Sequence, residues 1–303
     1  MSGHRPRGGS NLTRSQLNPF YGLVTKVSLW LFLLGVFGLL GGCAQISPEE
    51  RNAMAQRLAL KKGWTAQVLA TQPYVLMSFG PPVTSSVDLV TVYLEGDGYA
   101  WVRGRYPSED PTPLDPLALR LAMAQPSAAA VYLARPCQFL KVENGSQCTA
   151  LSWTRERFSA DVLAAMNQGL DLIKKRFNAK YFVLVGFSGG ARVGLELAAQ
   201  REDIKQLITV AGNMDPAAWT DLLGLQPLAI STNNLALIRA TEHLPQVYLV
   251  GDQDVVVPSV LTERFVARFP ANNQPELLVI EGNAHVCCWV EQWPELWPKV
   301  LKH

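Results

Sequence analysis

At 303 residues the chain has room for one large domain or two small ones. A formal charge of +2, with no basic run after Lys62, excludes a nucleic-acid-binding protein and leaves no nucleic-acid partner to assign. Strand and helix patterns alternate from about Trp64 onward with no linker and no internal repeat, which predicts a single α/β domain.

Met1 to Lys26 is polar and carries Arg5, Arg7, Arg14 and Lys26 with no acid. Val27 to Leu40 is a short apolar run, followed by Gly41-Gly42-Cys43. The run is too short for a comfortable membrane span, and basic, then apolar, then small is the order of a signal peptide. Leu40-Gly41-Gly42-Cys43 resembles the lipobox of bacterial lipoproteins. The resemblance implies cleavage before Cys43, lipidation of its thiol, and a membrane partner in the bacterial cell envelope. Ala44 in place of Asp implies the periplasmic face of the outer membrane. An uncleaved anchor is the other reading, and it too leaves the domain outside the cytoplasm, because the basic flank stays inside. The organisation expected is a signal peptide over 1–42, a tether and spacer helix over 43–62, and the domain over 63–303.

Ser47-Pro48-Glu49-Glu50 is a capping box with Pro in the first turn, so a helix is expected to run to Lys62 and stop at Gly63. Trp64–Leu69 and Tyr74–Phe79 read as a pair of strands. Leu89–Leu94 is a buried strand running into Glu95-Gly96-Asp97-Gly98, and Asp110–Pro116 is irregular. A helix over Leu117–Ala124, a strand over Ala129–Leu133 and a long helix over Arg157–Phe177 follow. Tyr181–Val185 is an apolar run of the kind found in a strand buried on both faces. Later strands are expected at Ile204–Val210, Gln246–Val250 and Leu277–Ile280, and helices at Thr262–Phe269 and Glu291–Leu301. Trp219–Leu244 is the only room for a lid and is too short for a large cap domain.

The central strand ends in Gly186-Phe187-Ser188-Gly189-Gly190, a G-x-S-x-G pattern, and Ala191–Ala199 reads as the next helix. Strand, tight serine turn and helix together form the context in which this pattern marks a nucleophile. Side chains at Gly186 and Gly190 would collide across the turn. The helix aims its first N–H groups at the serine, where an oxyanion can be held.

Position selects the base. His4 lies in the segment expected to be removed, His303 is the last residue, and His243 precedes its strand. In open α/β sheets the working crevice lies at the carboxyl ends of the strands. Only His285, after the last strand, is on the side of Ser188. The acid must leave another carboxyl end, and Asp215, Asp252 and Asp254 all do so. Asp254 is preferred because it sits deeper in its turn; the other two suit turn closure.

The order Ser188, Asp254, His285 on alternating strands and helices resembles the α/β-hydrolase superfamily, and Gly251-x-x-Asp254-x-x-x-Pro258 is similar to that family's acid turn. The resemblance implies an α/β-hydrolase fold, with a mostly parallel sheet flanked by helices, and acyl-transfer chemistry at a serine. It also implies an oxyanion site made by the N–H groups of Gly189 and Asp97 (or Gly98). Many members carry His-Gly where this chain has Glu95-Gly96-Asp97-Gly98. Two carboxylates beside developing negative charge are expected to oppose the transition state unless they point away, and to favour substrates bearing a cationic group.

Cys137 and Cys148 read as a local disulfide in an oxidising compartment. Cys287 and Cys288 follow His285, and adjacent cysteines rarely bridge. No C-x-x-C spacing is present and the nearby imidazole is already assigned, so neither metal nor cofactor is expected. The function expected is a serine hydrolase acting on a small acyl ester or thioester, with peptide bonds not excluded. Two other readings stay open: a binding protein that retains the fold, and an acyltransferase using the same residues.

Overall fold

The computed structural model of the chain describes residues 46–126, 129–140 and 147–302. The lipobox-like segment with Cys43 lies outside the described residues, as do residues 141–146 of the loop between Cys137 and Cys148.

Apolar strands build the centre. Val90, Val92 and Leu94 of β3 (Leu89–Leu94), Val131 and Leu133 of β6 (Ala129–Leu133), and Phe182 and Leu184 of β7 (Tyr181–Phe187) enter one buried cluster. Their neighbours Tyr93, Ala130, Tyr132, Val183 and Val185 enter another. Successive side chains in a strand point to opposite faces, and a sheet covered on both faces needs apolar residues at both. The sheet has eight strands in the order β1-β2-β6-β3-β7-β8-β9-β10. Here β1 is Thr65–Leu69, β2 Leu76–Gly80, β8 Ile204–Val210, β9 Gln246–Gly251 and β10 Glu276–Ile280. Only β2 runs antiparallel to its neighbours; every other pairing is parallel.

Helix α1 (Pro48–Lys61) begins with the expected capping box: Glu50 N–H donates to Ser47 Oγ (3.2 Å) and Ser47 N–H to Glu50 Oε2 (3.0 Å). It is not a free spacer. Ala55 and Ala59 are fully buried in the second cluster with Trp64, so the compact unit begins at Ile46. The small side chains let the helix lie close against the sheet.

Helices α2 (Leu117–Ala124), α3 (Ala150–Trp153) and α4 (Ala160–Phe177) lead to β7, and α5 (Gly189–Ala198) follows it. The long helix starts at Ala160 rather than Arg157 because Ser159 caps it, its Oγ accepting from Val162 N–H. The segment Trp219–Leu244 begins inside the short helix α6 (Pro216–Leu223) and holds a second, α7 (Asn234–Thr241), with no cap domain. After α8 (Ser259–Val266) and β10, α9 (Trp289–Val300) closes the domain. Trp289, Trp293 and Trp297 are one turn apart and all buried, and Trp293 Nε1–H donates to Tyr93 Oη (2.9 Å). Repeats of four residues place side chains on one helix face, so this face seals the sheet with its largest residues.

A two-stranded hairpin, β4 (Trp101–Val102) and β5 (Tyr106–Pro107), stands outside the main sheet and was not legible as a strand pair. Two residues per strand carry no periodic signal.

Candidate active site

Ser188 sits at the carboxyl end of β7 with φ 50° and ψ −121°. Positive φ costs a non-glycine residue about 1–3 kcal/mol and persists only where the surroundings impose it. Here Ser188 N–H donates to Val210 O (3.1 Å), while Ser188 O accepts from Ala191 N–H (3.1 Å) and Asn213 N–H (3.0 Å). The flanking glycines are required by space. A Cβ on Gly186 would lie 2.4 Å from Ala191 Cα, and one on Gly190 would lie 2.4 Å from Leu94 O.

The structure brings Ser188, His285 and Asp254 together. His285 Nε2 is 3.0 Å from Ser188 Oγ, and His285 Nδ1 is 2.8 Å from Asp254 Oδ2. Both distances lie in the range for proton transfer. Asp254 is buried, and its other oxygen accepts from Val256 N–H and Val257 N–H at 2.8 Å each. The two remaining acids are occupied in turns. Asp252 Oδ1 accepts from Gly282 N–H (2.7 Å), tying the acid loop to the loop of His285. Asp215 caps α6 through Ala218 N–H (3.1 Å) and pairs with Arg268 (2.9 Å).

Several residues that hold this arrangement were not singled out from sequence. Trp289 Nε1–H donates to Ala284 O (2.9 Å) and His285 O (3.2 Å), fixing the backbone that carries the imidazole. The Phe187 ring centroid lies 5.2 Å from that of His285. Gly251 makes room for the His285 loop, since a Cβ there would lie 2.1 Å from Asn283 O. Gly251 belongs to the acid-turn pattern and Phe187 fills the unspecified position of G-x-S-x-G, but no spacing rule points to Trp289, and only the assembled fold shows what each one holds.

Gly189 opens α5, where the first N–H groups of a helix have no intrahelical acceptor. The 95–98 loop lies against it: a Cβ on Gly189 would be 2.1 Å from Asp97 Oδ1, and one on Gly96 would be 3.3 Å from Ser188 Cβ. The expected electrostatic conflict does not arise. Arg157 Nη1 donates to Asp97 Oδ2 (2.5 Å), and Arg135 Nη1 lies 3.4 Å from Asp97 Oδ1. Both arginines are buried. Burial pushes the Arg135 guanidinium down to about 10, against the pull of Asp97, and this still leaves it cationic at neutral pH. Two cations around one carboxylate make the cluster net positive beside the oxyanion position. The second acid, Glu95, is buried, takes Gly96 N–H on Oε1 (2.9 Å), and is pushed up to about 7 mainly by desolvation. The premise for a cationic substrate preference is therefore removed.

Glu95 has a consequence for stability. Its folded pKa lies above the ordinary carboxylate value of 4.5, so the folded state holds the proton more tightly. The Glu95 contribution to stability is full below pH 4.5 and is lost as pH rises through about 7. Relative to a variant that is neutral at this position, the wild type is expected to lose several degrees of melting temperature across this window. Glu95→Gln, which stays neutral, is expected to lose most of that slope, and an unchanged slope would refute the assignment.

The structure joins Cys137 to Cys148 with an S–S distance of 2.05 Å. It also places the sulfurs of the adjacent Cys287 and Cys288 against each other. Among the described residues no group of histidine, cysteine and acidic side chains is arranged to hold a metal ion, and no helix is long and apolar enough to cross a membrane.

No family model matches this sequence, and no curated protein matches it. Solved structures match by fold. An alpha-beta serine hydrolase homologue from Coxiella burnetii aligns with a TM-score of 0.51 at 18% identity, over 78% of this chain and 95% of that one. Esterase Pf2001 from Pyrococcus furiosus aligns with a TM-score of 0.52 at 15% identity, over 78% and 89%. Est1E from Butyrivibrio proteoclasticus gives 0.50 at 17%, over 77% and 96%. The fold is that of the α/β hydrolases, and at these identities the likeness extends to the fold alone.

Proposed function

We propose that the protein is a serine hydrolase that cleaves a small acyl ester or thioester, tethered to a bacterial envelope membrane by lipid on Cys43. The observation that carries the chemistry is the continuous contact from Ser188 Oγ through His285 to Asp254, at 3.0 and 2.8 Å. Ser188 Oγ attacks the acyl carbonyl carbon, and His285 Nε2 takes its proton. Asp254 holds the proton of Nδ1 and stabilises the imidazolium. The carbonyl oxygen, now an anion, is held by Gly189 N–H and Asp97 N–H. The carbon–oxygen or carbon–sulfur bond then breaks, and the leaving group departs with the proton from His285. Water, deprotonated by His285, attacks the acyl-serine, releases the acid and returns Ser188 to its starting state. Esters and thioesters are favoured over amides because their leaving groups need least help.

The fold neighbours described as a serine hydrolase homologue and an esterase support the same class. The feature that favoured a binding protein, an acidic oxyanion loop, is neutralised by Arg135 and Arg157. Labelling the full chain with a fluorophosphonate tests the proposal. Wild type is expected to label and Ser188→Ala not to. A folded wild-type protein that does not label would sink the hydrolase reading.

A further inference from the structure

Asp97 N–H has no acceptor among the described residues, although its loop packs against the serine turn. A free N–H helps an oxyanion only if it is aimed. The residue before it, Gly96, has no Cβ and resists rotation least of all residues. Other groups must therefore hold the Gly96–Asp97 peptide plane.

Two buried side chains do so. Glu95 Oε1 accepts Gly96 N–H (2.9 Å), and Gln138 Nε2–H donates to Gly96 O (3.1 Å). Glu95 and Gln138 are each 1% exposed, so both bonds form away from bulk water. The Gly96–Asp97 peptide is trans, and in a trans peptide the C=O and the following N–H point in opposite directions. Holding Gly96 O toward Gln138 turns Asp97 N–H away from Gln138. The same two residues meet the serine turn. A Cβ on Gly96 would lie 3.3 Å from Ser188 Cβ, and one on Gly189 would lie 2.1 Å from Asp97 Oδ1.

Gln138 is itself fixed. Its Oε1 accepts Arg135 N–H (3.0 Å). A backbone N–H can only donate and a carbonyl can only accept, so the amide has one orientation. Its neighbours Cys137 and Phe139 hold positive φ, 71° and 62°. Non-glycine residues keep that conformation only where the surroundings impose it. Here Cys137 is joined to Cys148, and Phe139 N–H donates to Thr112 Oγ1 (2.8 Å). The turn is thus anchored on both sides of Gln138.

We propose that Gln138 is a positioning residue for the reaction: with Glu95 it clamps the Gly96 peptide so that Asp97 N–H, and not Gly98 N–H, meets the oxyanion. This assignment rests on the hydrolase reading above and deepens it. Gln138 touches no reacting atom. It acts by keeping a donor in place before the charge forms, so that no reorganisation is needed as it does.

Gln138→Met and Gln138→Glu, made in the full chain, test this. Methionine keeps the side-chain length and removes both bonds. Glutamate keeps an acceptor for Arg135 N–H and removes the donor to Gly96 O. Circular dichroism selects the folded variants, and either one decides. Loss of a whole oxyanion donor costs about 10²- to 10³-fold and a loosened one less, so kcat on a soluble aryl ester is expected to fall about 30-fold with KM within about threefold. Affinity for phenylboronic acid is expected to fall by the same factor. In that adduct Ser188 Oγ bonds to boron, the serine proton passes to His285, and a boron hydroxyl takes the oxyanion position. A folded variant with wild-type kcat, or a KM that rises as far as kcat falls, overturns the assignment. A second readout needs no chemistry. With nitrogen-15 aspartate in the chain, the Asp97 amide is expected to show an order parameter of about 0.85 in the wild type and below about 0.6 in the variants. An amide equally rigid in both overturns the clamp. Fluorophosphonate labelling of the wild type reports separately on the hydrolase reading, and if that reading fails the order parameters still decide the clamp.

Discussion

Asp254→Asn is expected to lower turnover of a soluble aryl ester by about 10³- to 10⁴-fold while KM stays within a few-fold. The reason lies in what each carboxylate oxygen accepts. Oδ1 takes two backbone N–H groups, from Val256 and Val257. An asparagine places its carbonyl oxygen there, because turning its NH₂ toward two donors leaves all of them unpaired in a buried site. The NH₂ then faces His285 Nδ1, which must accept. The imidazole proton moves to Nε2, the nitrogen that has to take the proton of Ser188, and the base is lost although every heavy atom keeps its position. His285→Ala and Ser188→Ala remove reacting atoms outright and are expected to cost more, about 10⁴- to 10⁶-fold. Asp252→Asn is the control. Its Oδ1 only receives Gly282 N–H, and an amide oxygen can do the same, so activity is expected within about threefold of wild type. Steady-state kinetics on purified full-length variants measures all four. If Asp254→Asn stays within tenfold while Asp252→Asn collapses, the acid has been assigned to the wrong residue.

That assignment shows where sequence reasoning stops. The serine turn was legible because a tight strand-to-helix turn needs a backbone that few sequences permit. Gly186 and Gly190 are required because a Cβ at either would lie 2.4 Å from a neighbouring backbone atom, and that demand prints itself as G-x-S-x-G. The placing of His285 beside Ser188 was legible by topology, since only this histidine follows a strand end. The sheet was legible because burial on both faces makes β3, β6 and β7 apolar throughout. Charge pairing was not legible. Arg135 and Arg157 reach Asp97 across separations of 38 and 60 residues. With no local period linking them, Asp97 read as an isolated liability. The packing of α1 against the domain was not legible for a related reason. Ala55 and Ala59 make a weak apolar stripe, and only the partner surface shows that small residues are what close packing required.

The arginine pair supplies the second large effect. Arg157→Met is expected to lower kcat by about 100-fold and to destabilise the fold by about 2–4 kcal/mol. Arg157 Nη1 holds Asp97 Oδ2 at 2.5 Å, its Nε–H donates to Thr154 O (2.8 Å), and its guanidinium lies 5.9 Å from the Trp219 ring centroid. Trp219 Nε1–H in turn donates to Val256 O (2.7 Å), beside the N–H that Asp254 accepts. Arg157 therefore joins the oxyanion loop to the acid loop. Removing it leaves Asp97 with only the longer contact to Arg135, and an under-compensated carboxylate beside Gly189 opposes the anion that forms on attack. The stability figure sits below the full value for a buried pair because the Asp97 side chain is 20% exposed and water screens it in part. The double variant Arg157→Met/Asp97→Asn separates the causes. Deleting both charges removes the unpaired carboxylate, so it is expected to recover part of the stability and part of kcat relative to Arg157→Met alone. Arg157→Lys keeps a charge without the fork and is expected to fall between wild type and Arg157→Met. Urea unfolding and ester kinetics on the same four proteins decide the matter. Stability losses with an unchanged kcat confine Arg157 to a structural role, whereas a kcat that returns with removal of the Asp97 carboxylate makes charge balance at the oxyanion site the cause.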